Sequence, residues 1–230
     1  MTAHVLAVLT GDIKPLGSTV SGIDKHPVEG PQRVERLGIV GDRQADLRVH
    51  GGEDKAVHCY PWSHYPYWRE LLPDHSLLKS PGAFGENLSI EGMDEEDLCI
   101  ADRWRIGSTL FEVSQGRQPC HKLNLRFGHD DIAFHVQESL RAGWYFRVIE
   151  PGFVAAGDAF ELIERPFPSH SVADLLTLIR DRESRSSRLA PVLQLPLTAS
   201  WRKLFERRLG HRSAEDGSTR LTGNRDKDGG

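Results

Sequence analysis

Cys120 stands in the segment SQGRQPCHKL, residues 114–123, with Arg117 three residues before it, Pro119 and His121 adjoining it and Lys122 two residues beyond. A thiolate is the nucleophilic and metal-binding form of cysteine, and nearby cations favour it. The segment therefore has the make-up of a reactive or metal-ligating thiol. A partly buried loop cysteine with solvated charges beside it is the plainer reading of the same residues. Cys59 and Cys99 sit inside apolar alternating runs, where cysteine acts as a small hydrophobe. Three cysteines at wide spacing suit neither a disulfide framework nor a paired-cysteine metal site.

Two further stretches carry chemistry. In GDRQADLRVHGGEDKAVHCY, residues 41–60, Gly51 and Gly52 can bring bare backbone amides to a ligand, with Arg43, Arg48, His50 and Lys55 around them. That set suits a phosphate or another anion, although a glycine turn between two strands has the same composition. The HGG triplet resembles the oxyanion loop of lipases, but the chain has no G-x-S-x-G elbow, which sets a serine hydrolase aside. In SPGAFGENLSIEGM, residues 80–93, Gly82 and Gly85 flank an aromatic residue, and Glu86 and Asn87 offer a carboxylate and an amide. Glu86 is a candidate acid/base group; such a pair also serves simply to satisfy a turn. The stretch is neither a P-loop nor a dinucleotide fingerprint, and the eleven histidines show no H-E-x-x-H spacing for zinc.

The elements that must hold these residues are mostly short strands. Runs at His4–Thr10, 34–40, 47–50, 56–60, 87–90, 104–106, 109–113, Trp144–Glu150 and 159–163 are each closed by Gly, Pro or Asp. That spacing predicts a barrel or sandwich rather than a doubly wound sheet. Helices are expected at 63–72, despite Pro66, and at 131–141. After Pro166 and Pro168 the pattern turns helical: SVADLLTLIR behind a Ser171–Asp174 capping box, a second helix near 187–193, and TASWRKLFERRLG stopped by Gly210. The resulting division is a β-barrel domain at 1–165, a three-helix subdomain at 166–210 and a disordered tail at 211–230.

With 230 residues, 38% hydrophobic and 27% charged, the chain can bury a good core. Its 29 basic and 33 acidic residues give a net charge of −4, so no global field draws it to a nucleic-acid polymer; recognition of an anion must be local. No apolar run approaches a membrane span, and the N-terminus lacks a signal-peptide pattern, so the expected location is cytoplasmic.

Taken in order, SGIDKHPVEG, GDRQADLRVHGGEDKAV, GAFGENLSIEGM, D-x-W-x-I-G, QGRQPCHKL and WYFRVIEPGFVAAGD make the chain similar to the MOSC domain family. That family is named for the C-terminal domain of molybdenum cofactor sulfurase. The helical appendage resembles that of the family's YiiM branch. The resemblance spans nearly all of residues 5–210. It implies a mixed β-barrel and a molybdenum cofactor, a molybdopterin, with Cys120 as metal ligand or as a persulfide sulfur carrier. It also implies reduction of N-hydroxylated small molecules, such as hydroxylaminopurine bases, to amines. Carried over, Arg117 and Lys122 flank the cysteine, and His50, Gly51, Gly52, Lys55, Gly85, Glu86 and Asn87 line the site. Lys25 and Arg43 are further cations for the pterin phosphate. Soft thiolate ligands suit such a metal. Glu86 or a nearby histidine would supply protons, and, with no flavin, haem or nicotinamide signature in view, a separate electron-transfer protein the electrons. Sulfur transfer through a Cys120 persulfide, and a non-catalytic pterin- or anion-binding module, remain as alternatives. Relatives read Q-P-R-x-P-C-x-K-L; Gly116 before Arg117 departs from this and implies a looser loop.

Overall fold

The computed structural model of the chain describes residues 3–45, 51–210 and 218–223. Eight strands form the main sheet, in the order Phe160–Glu164, Arg103–Ile106, Thr109–Gly116, Trp144–Glu150, Val57–Pro61, Leu88–Glu91, His4–Thr10, His26–Pro27. Every neighbouring pair is antiparallel except Val57–Pro61 with Leu88–Glu91. A parallel pair needs a crossover. Here the crossover contains the helix Tyr65–Leu71 and the short 3-10 turns Trp62–His64 and Ser76–Lys79. The sheet curls strongly: His4, on the strand next to one edge, bridges to Ala159, just ahead of the strand at the other edge, and Val5 N–H donates to the Asp158 carbonyl at 2.9 Å. The barrel expected from the strand spacing is thus a curled, mixed half-barrel. Inside it lie Trp68, Trp144, Phe111 and Phe146, all buried.

Several elements differ from their expected bounds. The apolar run 34–40 folds back on itself as the hairpin Gln32–Glu35 and Gly38–Ile39. Val34 then faces Ile39 and both are buried, which a single extended strand would not allow. The expected strand at 47–50 lies outside the described residues. Strand 109–113 continues to Gly116. The first helix begins only at Tyr65, so Pro66 falls in its opening turn, where a missing N–H costs nothing. The helix expected at 131–141 is Ile132–Ser139, ended by Leu140 in the left-handed region at φ 60°. The helix Lys122–Phe127, directly after Cys120, is too short to leave a periodic signal in the sequence.

The helical appendage consists of Val172–Arg180, Ser186–Val192 and Ala199–Gly210. Both capping-box bonds form: Asp174 N–H to Ser171 Oγ at 3.0 Å and Ser171 N–H to Asp174 Oδ2 at 3.2 Å. Such a cap stabilises a helix by about 1 kcal/mol. Buried Arg208 crosses from the last helix to the carbonyls of Leu178 and Ile179, at 2.8 and 3.1 Å. Thr198 Oγ1 donates to Gln115 Oε1 at 2.9 Å, tying the appendage to the strand that leads to Cys120. Residues 211–230 were expected to be disordered; Ser218–Thr222 within them is a short helix. Among the described residues no helix is long and apolar enough to cross a membrane.

Candidate anion-binding cleft around Cys120

A cleft of about 610 Å³, part of it open to solvent, lies where four loops meet over the strands Val57–Pro61 and Trp144–Glu150. Its walls are residues 21–23, 25, 43–45, 84, 85, 87, 117, 120 and 122, with Lys55, His58 and Tyr145 beneath. Five of the lining residues are cations, Lys25, Arg43, Lys55, Arg117 and Lys122, and no carboxylate is among the described lining residues. Four loops that are up to a hundred residues apart in sequence therefore converge on one positive hollow with Cys120 on its wall.

The cations are not equivalent. Lys25 is 7% exposed and ion-paired with Asp42, which also accepts from Gly11 N–H at 2.9 Å. Burial pulls the Lys25 ammonium below the usual lysine range, and the Asp42 charge opposes that. Arg43 is largely exposed and 3.6 Å from Asp12, an ion pair of little weight. Lys122 opens the helix Lys122–Phe127 and donates to the Val20 carbonyl at 3.1 Å, which pins the hairpin of Lys14–Leu16 and Thr19–Ser21 to the cysteine loop. Lys55 is delivered by the 3-10 turn Glu53–Lys55, where its N–H donates to the Gly52 carbonyl at 3.0 Å. Burial lowers its pKa, while interaction with Cys120 and then Asp54 opposes that.

Arg117 carries the strongest signal. It is 6% exposed, its Nη1 is buried with no hydrogen-bond partner among the described residues, and its charge faces Tyr145 and His58. A buried guanidinium with an open donor is costly unless an anion completes it. His58 and Tyr145 were not singled out from the sequence. Burial, then the Arg117 charge, hold His58 well below its ordinary pKa, and burial raises Tyr145, so both are neutral at pH 7. The two rings lie 5.0 Å apart. The one available signal was that His58 is the sole ionisable nitrogen in the apolar run AVHCY.

Other sequence candidates fall differently. Glu86 does not reach the cleft. It is fully buried, and its carboxylate accepts from Tyr65 Oη and Gly82 N–H at 2.7 Å and from Phe84 N–H at 3.1 Å. Its oxygens are spent on holding the 82–87 loop, which corrects the expectation of an acid/base group. Asn87 touches the cleft, but its amide is committed: Oδ1 accepts from His58 N–H at 3.1 Å and Nδ2 donates to the Leu9 carbonyl at 3.2 Å. Gly85 lines the cleft at φ 72°, and a side chain there would begin 2.6 Å from Ile23. Gly51 and Gly52 are not on the lining, and His50 lies outside the described residues. Gly116 is not part of a loose loop: it is the last residue of its strand, paired with Trp144, and a Cβ there would lie 2.8 Å from Leu176.

Comparison with known proteins agrees with this geometry. The MOSC domain family model matches residues 46–161. Protein YiiM of Escherichia coli (strain K12) is 37% identical over 220 residues, 94% of this chain and 97% of that protein. A protein named Reductase from Gibberella moniliformis is 39% identical over 209 residues; the match covers 89% of this chain but only 37% of that relative's length. The crystal structure of YiiM from Escherichia coli superposes with a TM-score of 0.81 at 33% identity, covering 97% of this chain and all of that one. With its curled sheet, its cationic cleft around a loop cysteine and its YiiM-type relatives over nearly its whole length, the chain belongs to the MOSC domain family.

Proposed function

We propose that the cleft binds a phosphorylated molybdopterin and that the protein reduces N-hydroxylated small molecules to amines, with electrons from a separate redox protein. The observation that carries this reading is the Arg117 guanidinium, buried with Nη1 unpartnered in a hollow lined by four further cations and no carboxylate among its described residues. A net-acidic chain that gathers such a site is suited to an anion. Arg117, Lys55 and Lys122 would hold the phosphate, and Cys120 would reach the metal with a soft sulfur ligand. Lys25, already paired with Asp42, would contribute shape more than charge. When bound, the cofactor supplies two-electron redox chemistry at the metal.

The net change consumes two electrons and two protons, breaks the N–O bond and releases water. With the Glu86 carboxylate sealed in its loop, the His58 imidazole and the Tyr145 hydroxyl, both neutral, would orient the substrate by hydrogen bonding from the cleft floor, and the protons would come from solvent through the open side of the cleft. The name of the Gibberella relative is consistent with a reductive role.

The test is molybdenum and pterin content after expression in a host that makes the cofactor, for the wild type, Cys120→Ala and Arg117→Met. Near-stoichiometric molybdenum in the wild type, lost from Cys120→Ala and much reduced in Arg117→Met, is expected. A wild type empty of both metal and pterin refutes the reading. Cyanide-labile sulfur on Cys120 in that empty protein would instead identify a sulfur carrier.

A further inference from the structure

The C-terminal helix Ser218–Thr222 sits on the cysteine loop and bonds to the residues on both sides of Cys120. The His121 N–H donates to the Arg220 carbonyl at 2.9 Å, and the Arg220 guanidinium donates back to the Pro119 carbonyl. The other arm of that guanidinium donates to Gln137 Oε1 on the helix Ile132–Ser139. Buried Asn124 completes the junction. Its Nδ2 donates to the Leu221 carbonyl at 2.9 Å and to the Asp130 carbonyl at 2.5 Å, and its Oδ1 accepts from Ala133 N–H at 2.8 Å. Leu221 is 9% exposed, and Gly223 lies where a Cβ would stand 3.5 Å from the His121 ring.

We infer that Arg220 is a positioning residue: through Pro119 and His121 it fixes the backbone that aims Cys120 into the cleft. The partners argue for this role. A segment that merely packed would spend its bonds on itself or on nearby side chains. This one places a charged fork and a backbone carbonyl on the two peptide groups flanking a single cysteine, about a hundred residues away in sequence. Two chain segments, one just before and one after the helix Ala199–Gly210, therefore converge on this region: Thr198 holds Gln115 ahead of the loop and Arg220 holds the loop at the cysteine. The functional weight of the inference rests on Cys120 being the working residue of the proposed site, but the geometry and its test do not need the cofactor.

The test uses cofactor-free full-length protein and iodoacetamide, with the modified residue read by mass spectrometry. Cys59 and Cys99 are 0% and 3% exposed, so Cys120, on the cleft wall, is the thiol that reacts in the folded protein. Alkylation of a held loop proceeds through its open state. Losing the Arg220 clamp in Arg220→Ala is expected to speed Cys120 modification about tenfold, the equivalent of ~1.4 kcal/mol. Arg220→Lys, which keeps a cation and a donor but not the fork, is expected to restore part of the slow rate. A rate unchanged within about twofold in Arg220→Ala overturns the inference. Labelling that spreads to Cys59 and Cys99 overturns it as well, because the segment would then be holding the whole fold. Because no metal enters this assay, its failure stays separate from failure of the molybdenum measurement.

Discussion

Replacing Gly116 by alanine tests how the appendage and the cysteine-bearing strand are joined. An added Cβ would stand 2.8 Å from both Cγ and Cδ2 of Leu176 and 3.0 Å from Cδ1. Comfortable carbon–carbon contacts lie near 3.5–4.0 Å. Because the branch carbon is as close as the methyls, turning the Leu176 methyls about the Cβ–Cγ bond does not clear the way, and the whole side chain must leave its rotamer or move with its helix. The backbone cannot retreat easily either, since Gly116 is paired with Trp144 and the next N–H donates to the Gly143 carbonyl at 2.9 Å. Leu176 or the helix Val172–Arg180 must therefore shift, at the ~1–3 kcal/mol typical of overpacking. For a chain of this size about 2 kcal/mol is a fall of ~4–8 °C in Tm. Urea unfolding of Gly116→Ala, Leu176→Ala and the double variant gives the decisive comparison. Leu176→Ala alone should cost ~2–5 kcal/mol, and adding Gly116→Ala to it should cost almost nothing, an interaction of about 2 kcal/mol. Gly116→Ala without loss of stability, or additivity within ~0.5 kcal/mol, would refute the packing argument.

Glu86→Gln should destabilise the protein by about 2–3 kcal/mol in urea, because the amide nitrogen replaces an acceptor that Phe84 N–H uses; a fully stable but inactive variant would restore Glu86 to the chemistry. His58 is buried and held well below its ordinary pKa, so the unfolded chain takes up a proton near pH 6.5 that the folded chain refuses. Stability is therefore complete above that pH and falls on acidification, by ~1.4 kcal/mol per pH unit for this one group. His58→Gln should remove that share of the slope between about pH 6.5 and 5, measured by denaturant titration at each pH, and an unchanged slope would sink the assignment.

Much of this site was legible one segment at a time. Cations within three residues of Cys120 are a local feature, as are the Gly85–Asn87 turn and the Ser171–Asp174 cap, and local features survive in a linear reading. Glu86 shows where such reading fails. A carboxylate after glycine looks the same whether it faces a cleft or turns inward to three donors, and only the packing of Tyr65 over the loop decides. Gly116 misled for a related reason: its partner Leu176 lies sixty residues away on another element. His58 was hidden because every residue of Val57–Pro61 is buried, which erases the alternation that would have given it a face.

By itself, the sequence determined that the chain is a β-rich fold with a helical appendage and that a cationic loop presents one cysteine. Turn residues, apolar periodicity and caps act over a few residues, so they can be read along the chain. The tertiary structure alone decided which cations share a hollow, that Lys25 is already spent on Asp42 while Arg117 Nη1 has no described partner, and that a short C-terminal helix grips the peptide groups on either side of Cys120. Those outcomes depend on which distant groups burial forces together and which hydrogen bonds are left over once it has done so, and neither is a property of any local stretch of sequence.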